Sequence, residues 1–392
     1  MELYIHIPFC MKKCDYCDFL SAPYDLDVRR AYTKALCREI AFFGKKLAGE
    51  RIETIFIGGG TPSWLETELL DAVMQTVHAS FAVEKEAEIS MECNPGTVSA
   101  AAFASYRRWG LNRLSIGLQS ANDDELALLG RIHNFDRFLR TYENARKAGI
   151  YNINIDIMTG LPGQTPQKLY FTLQQVIGLR PEHISAYALM IEKGTPFYER
   201  YKFDAVRQHA GMATEELPDD DTAYQLTKLT EQVLKEHGFL RYEISNFAKD
   251  GLVCRHNVGY WTRVPYLGVG LGAASLLGHT RYANERDMDS YLYQCSLLSE
   301  DGSGESPVWA GVDELSRKDE VAEYMYLGLR MTDGISRVGF EQTFGQSIDT
   351  YYKETMEQLR NEGMLSLDGG RVRLTEQGMD LSNRVLAEFL LD

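Results

Sequence analysis

The feature that most constrains the fold is an alternation. Six short β-rich runs, ELYIHI (2–7), TIFIG (54–58), EISME (88–92), RLSIGLQ (113–119), INIDIM (153–158) and HISAYAL (183–189), are separated by stretches with helical spacing. In the first such stretch, Tyr32, Leu36, Ile40, Phe43 and Leu47 recur at helical intervals behind a cap at Asp25 or Asp27. Repeated strand–helix alternation implies a parallel sheet or a β/α barrel. Parallel strands buried on both faces read as unbroken apolar runs, yet three of these do not. Ser90 and Glu92 alternate with Ile89 and Met91, Ser115, Gly117 and Gln119 with Leu114, Ile116 and Leu118, and Asn154 and Asp156 with Ile153, Ile155 and Ile157. A closed eight-stranded barrel fills its interior with branched apolar side chains. A polar inner face therefore implies an incomplete, wider barrel with a ligand inside. A half-solvated antiparallel sheet would give the same alternation, and the intervening helices argue against it.

Beyond residue 190 the chain is polar and irregular to about 220, and reads as a long excursion. A helix is expected over 221–238, then YEISNFA (242–248) and a Gly-rich segment, YLGVGLGAASLLG (266–278). Residues 299–318 are acidic with Gly and Ser, as in a linker. The remainder reads as a helix (318–331), a helix (348–362), the hairpin MLSLDGGRVRLT and a final helix, an order that resembles a winged helix. The expected organisation is a partial β/α barrel over 1–200, a barrel extension over 201–300 and a mostly helical domain over 310–392. The formal net charge of −15 argues against nucleic acid as a partner. The helix at 348–362 carries Asp349, Glu354, Glu357 and Glu362 against Lys353 and Arg360, which favours a structural or docking role for the last domain. No apolar run is long enough to span a bilayer and no signal peptide is evident, so a cytoplasmic protein is expected. In a reducing compartment its seven cysteines are read as metal ligands, catalytic groups or buried thiols.

Three of those cysteines, Cys10, Cys14 and Cys17, share one loop after the first strand. Thiolates at this spacing can converge on one metal centre. Zinc would be left with an open or borrowed position, and a [4Fe–4S] cluster with one iron free of protein thiolate. The loop lies at the end of the barrel where β/α folds place chemistry. The second strand ends in GGGTP (58–62), where glycines allow positive φ and a close approach of backbone to ligand. Glu92, Gln119 and Asp156 stand at or near strand ends on the polar face and describe a pocket beside the cysteines.

With Tyr16 before its last cysteine, the Cys10-x-x-x-Cys14-x-x-Cys17 loop resembles that of the radical S-adenosylmethionine superfamily. YIHIPFC, GGGTP, GLQS, DIMTGLPGQT and YEISNFA narrow the resemblance to the oxygen-independent coproporphyrinogen III oxidase group, over nearly the whole chain. It implies a partial (β/α)6 TIM-type barrel with a winged-helix-like C-terminal domain. It also implies a [4Fe–4S] cluster on Cys10, Cys14 and Cys17, with S-adenosylmethionine on the fourth iron. By matching motifs, Tyr4, Gly59, Gly60, Thr61, Glu92, Gln119, Arg131, Asp156 and Ala188 would contact S-adenosylmethionine. Arg131 could meet a carboxylate as a bidentate partner. A low-potential electron donor of flavodoxin or ferredoxin type is part of the same expectation.

Two functions compete within that group. The oxidase carries a further cysteine two residues after the third, where this chain has Phe19. It also has an extension before the first strand, for which this sequence shows no room. CRHNVGYW (254–261) resembles instead a motif of the group's heme chaperones. There His256 could ligate heme iron, with Tyr260 and Trp261 on the macrocycle. The alternative for His256 is a structural turn that hydrogen-bonds the ring in place. Cys37, Cys93 and Cys295 read as buried or incidental thiols, and His6 as a packed residue. The expected function is heme carriage to heme-dependent respiratory enzymes, with room for a homodimer. The alternative is radical decarboxylation of coproporphyrinogen III.

Overall fold

The computed structural model describes residues 1–391. Each of the six β-rich runs is a strand: β1 (Glu2–Ile7), β2 (Arg51–Gly59), β3 (Ala82–Cys93), β4 (Arg113–Gln119), β5 (Asn152–Thr159) and β6 (His183–Ala188). Neighbours pair in parallel in sequence order. The connections are α1 (Leu26–Lys46), α2 (Thr67–Ser80), α3 (Ala100–Arg108), α4 (Asp123–Leu128), α5 (Phe135–Lys147) and α6 (Pro166–Gly178). Asp25 caps α1 by accepting from the Val28 N–H, which satisfies one of the helix's free donors. Tyr32, Leu36, Ile40 and Phe43 are fully buried on the face that the periodicity marks.

The excursion after residue 190, expected to be irregular, contains α7 (Pro196–His209). Thr195 caps it and Pro196 starts it. Phe197 and Tyr201, four residues apart, are its fully buried apolar anchors, in a small cluster with Leu129, Met158 and Leu161 against which Ala205 also packs. Two anchors are too few for a visible apolar stripe. Next come α8 (Asp220–Glu236), β7 (Leu240–Arg241), β8 (Asn246–Ala248), α9 (Arg255–Trp261), β9 (Tyr266–Val269), β10 (Ala274–Leu277), β11 (Thr280–Asn284) and α10 (Met288–Ser296). Part of the expected linker is strand β12 (Trp309–Glu314), paired antiparallel with β11.

One sheet of 12 strands runs β12-β11-β10-β9-β1-β2-β3-β4-β5-β6-β8-β7. Its edge strands β12 and β7 do not pair among the described residues, so the barrel is incomplete, as the polar inner face implied. The C-terminal region is α11 (Arg317–Gly328), β13 (Ile335–Ser336), α12 (Arg337–Phe344), α13 (Asp349–Asn361), β14 (Leu365–Ser366), β15 (Arg371–Leu374), α14 (Glu376–Asp380) and α15 (Ser382–Ala387). The order helix, strand, two helices, two strands is winged-helix-like, and its core is separate from that of the barrel.

Candidate functional site

The loop from 8 to 24 is pinned at several points. Cys10 N–H donates to Ala22 O (3.1 Å), Ala22 N–H to Pro8 O (3.0 Å) and Phe197 N–H to Asp15 O (2.9 Å). His6 holds Leu20 O through Nε2 (2.9 Å) and Tyr4 Oη through Nδ1 (3.0 Å), so it is a packed, hydrogen-bonded residue. Gly59 takes φ 112°, and a Cβ there would strike the His6 ring. A Cβ at Gly60 would crowd the Phe9 backbone. These glycines therefore let β2 pass close to the base of the cysteine loop.

A continuous chain of contacts joins two of the cysteines. Cys10 Sγ lies 3.3 Å from Thr61 Oγ1, which accepts from Asn94 Nδ2 (2.7 Å). Asn94 Oδ1 accepts from Arg131 Nη2 (2.8 Å), and Arg131 Nη1 reaches Cys14 Sγ (3.6 Å). Arg131 also donates to Gly117 O (2.6 Å). Cys10, Cys14 and Cys17 all line one cavity of about 500 Å³, a size usual for ligand sites.

The fit to a cluster follows from this donor set. Three thiols stand around one cavity mouth, and burial pushes the Cys17 thiol up. Among the described residues no three His, Cys, Asp or Glu side chains converge closely enough for a single ion. A four-iron cluster is larger and takes thiolates at its corners. Cys93 also lines the cavity, but its thiol turns to Asn94 O (3.7 Å) and burial raises it to about 12. Three available thiols and one open iron is the arrangement these residues suit.

Gly59, Gly60, Thr61, Glu92, Gln119, Arg131, Asp156 and Ala188 all border the same cavity. Tyr4 does not; its ring stacks on Phe56, which does. Burial raises Glu92 to about 8, with the Asp156 charge adding to the effect and the Gly59 N–H opposing it. Glu92 is thus mostly protonated at neutral pH and presents an O–H as well as an acceptor. Burial raises Asp156 as well, against hydrogen bonds from Asn154, Ser115 and Ser185. Gln119 sits at a β-bulge with φ 73°, a strained position for a side chain with a Cβ, and accepts from Tyr187 Oη (2.9 Å).

His256 is placed differently from the heme-ligand expectation. It is 1% exposed and does not border the cavity. Nδ1 lies 2.7 Å from Thr54 Oγ1 and Nε2 3.0 Å from Tyr260 Oη, so both ring nitrogens are engaged. Burial drives its pKa down to about 3, with Arg113 contributing. An axial ligand needs a free nitrogen with a path to iron. This arrangement offers neither and matches the structural turn.

Arg113, Asn94 and Tyr187 were not foreseen. Arg113 shares the parity of Ser115, Gly117 and Gln119, so the alternation that marks those residues also reaches it. Asn94 and Tyr187 carry no comparable signal, because their contacts are long-range.

Residues 4–176 match the radical SAM superfamily and residues 315–381 the HemN C-terminal domain. The chain is 34% identical to the heme chaperone HemW of Bacillus subtilis, over 99% of this chain and 98% of that one. The chain belongs to the HemW family. HemW of Escherichia coli is 33% identical over 100% of this chain and 98% of that one. A mitochondrial radical S-adenosyl methionine domain-containing protein 1 of Danio rerio is 30% identical over 100% of this chain and 87% of that one. The fold is similar to that of Escherichia coli coproporphyrinogen III oxidase (HemN), with TM-score 0.84, 24% identity and coverage of 99% and 89% of the two chains. HemW relatives thus extend along the whole chain, barrel and C-terminal region alike.

Proposed function

We propose that this chain is a heme carrier that holds a [4Fe–4S] cluster on Cys10, Cys14 and Cys17, binds S-adenosylmethionine in the barrel cavity and delivers heme to heme-dependent respiratory proteins. The observation that carries the reading is end-to-end similarity to heme chaperones at about one-third identity. Phe19 supports it: it is 65% exposed and borders the cavity where the oxidase has its further cysteine.

When bound, the cluster supplies a low-potential electron and S-adenosylmethionine the acceptor for it. The chain's own residues bind and orient. Arg131 is held by Asn94 and Gly117 beside Cys14, which fixes its positive charge at the cysteine end of the cavity with Nε left unpartnered. Protonated Glu92 and the Asp156 carboxylate offer hydrogen bonds deeper in the cavity. Gly59, Gly60 and Thr61 shape the wall next to Cys10. A flavodoxin- or ferredoxin-type donor, a homodimeric state and a cytoplasmic setting belong to the same proposal. So does a division into barrel, extension and C-terminal domain.

The test is an anaerobic assay of cluster-loaded protein with S-adenosylmethionine, a low-potential reductant and coproporphyrinogen III. The expected result is no protoporphyrinogen. Product over many turnovers would replace the carrier reading with the oxidase.

A further inference from the structure

Arg113 opens β4, is 2% exposed and borders the same cavity as the three cysteines. Its Nε has no hydrogen-bond partner. Two carboxylates act on it through space, Glu88 and Asp156, and both are committed elsewhere. Glu88 accepts from the backbone N–H groups of Arg255 (3.1 Å) and His256 (3.2 Å) and from Cys254 Sγ (3.6 Å). Asp156 accepts from Ser115 (3.0 Å) and Asn154 (2.7 Å). A guanidinium does not lose its proton in a protein; Glu88 and Asp156 favour this buried cation through space, but its Nε is left without a direct partner. Such an arrangement is costly unless something completes it. The other cations on the cavity wall differ: Lys12 and Lys13 are exposed, and Arg131, whose Nε is likewise unpartnered, has both Nη groups hydrogen-bonded.

Position sharpens the point. The cavity is bordered by both ends of β4, Arg113 and Gln119, and six strand steps span roughly 20 Å. The hollow is therefore a shaft from the cysteine mouth to the amino-terminal end of the strands. Arg113 lies at its floor, with Ser185 and Asn257 on the same wall.

We infer that Arg113 is a carboxylate-binding residue at the floor of the shaft, distinct from the Arg131 position and serving a ligand that reaches past it. The carboxylate comes from a heme propionate or from a smaller organic acid. The first source rests on the carrier reading; the site itself does not.

The experiment compares hemin, hemin dimethyl ester and succinate on the cluster-loaded full chain, as wild type, R113K and R113Q. Hemin is expected to bind wild type at least tenfold more tightly than its ester, which lacks the charged oxygens. R113Q removes that preference while binding the ester as wild type does. Succinate raises the Tm of wild type and not of R113Q. If R113Q does not fold, R113K gives the same readouts, since an ammonium cannot grip both oxygens: the preference falls at least threefold. An acid-over-ester ratio and a succinate shift that survive both substitutions overturn the site and leave Arg113 a counter-ion of Glu88. Failure of wild type to bind hemin defeats the carrier reading. An Arg113-dependent succinate shift would then keep the site with the smaller acid as its source, and no shift would overturn it.

Discussion

Glu2 and His256 face each other at 3.9 Å beneath the barrel, both mostly uncharged at neutral pH. Burial raises Glu2 to about 8 and lowers His256 to about 3. The signs give opposite pH dependences. Folded Glu2 keeps its proton above the pH at which the unfolded chain loses it, so its contribution declines as pH rises from about 4.5 through about 8. Folded His256 refuses a proton that the unfolded chain accepts, so its contribution is lost as pH falls from about 6.5 towards 3. Between pH 6.5 and 8 the Glu2 effect acts without the opposing one. Over that window, urea unfolding should show wild type losing up to about 1.4 kcal/mol per pH unit relative to Glu2→Gln. Parallel curves would contradict the raised Glu2. His256→Ala should cost about 2–4 kcal/mol of stability, from two lost hydrogen bonds and a cavity. Heme affinity of the folded protein should stay within about twofold. A stable variant with tenfold weaker heme binding would restore His256 as a ligand. Parity along β3, β4 and β5 made Glu92, Gln119 and Asp156 legible in the sequence. The Thr54 bond of His256 was not legible, because it joins residues some 200 apart in the chain, whereas Tyr260 lies four residues on in the same motif.

Among the elements, α9 shows how one motif can serve several neighbours. Its first residues donate backbone N–H groups to Glu88 on β3, and His256 reaches Thr54 on β2. Gly259 packs so tightly on Glu2 that a Cβ would collide with the carboxylate. On the opposite side Arg330 lies over the Trp261 ring, 4.2 Å from its centroid. Just after the helix, Arg263 pairs with Glu323 (3.2 Å) and Glu320 (3.7 Å) of α11. The HNVGYW segment is thus a bracket between barrel and C-terminal region. Trp261→Ala should speed amide hydrogen exchange in α11 at least tenfold and leave β1–β6 unchanged, since local opening follows local contacts. Equal exchange in α11 would contradict the bracket. The long elements, β1 to β6 and α1, were legible because each carries a full period of pattern. The helix α7 and strand β12 were not, because long-range partners rather than pattern hold them in place.

Across the molecule, the barrel gathers eight of the nine expected S-adenosylmethionine contacts and all three cysteines around one cavity. No helix among the described residues is long and apolar enough to cross a membrane. The net charge of −15 sets a surface that repels anionic ligands in general. A dicarboxylate such as heme would then favour entry where Lys12 and Lys13 stand at the cavity mouth and Phe19 and Met190 expose apolar surface beside them. The fold, the cluster loop and the C-terminal region could be read from sequence because they rest on local pattern and spacing. The unpartnered Nε of Arg113 and the choice between the two readings of His256 could not, because only the folded chain shows which buried groups already have partners.

Delivery of heme is the central claim, and transfer under competition tests it most directly. Heme-loaded protein is mixed with a heme-free respiratory oxidase in the presence of excess apomyoglobin, which captures any heme released to solution. The expected result is recovery of oxidase activity from the loaded protein and none from free hemin at the same concentration. Recovery abolished by apomyoglobin, or no greater than with free hemin, would contradict the carrier account.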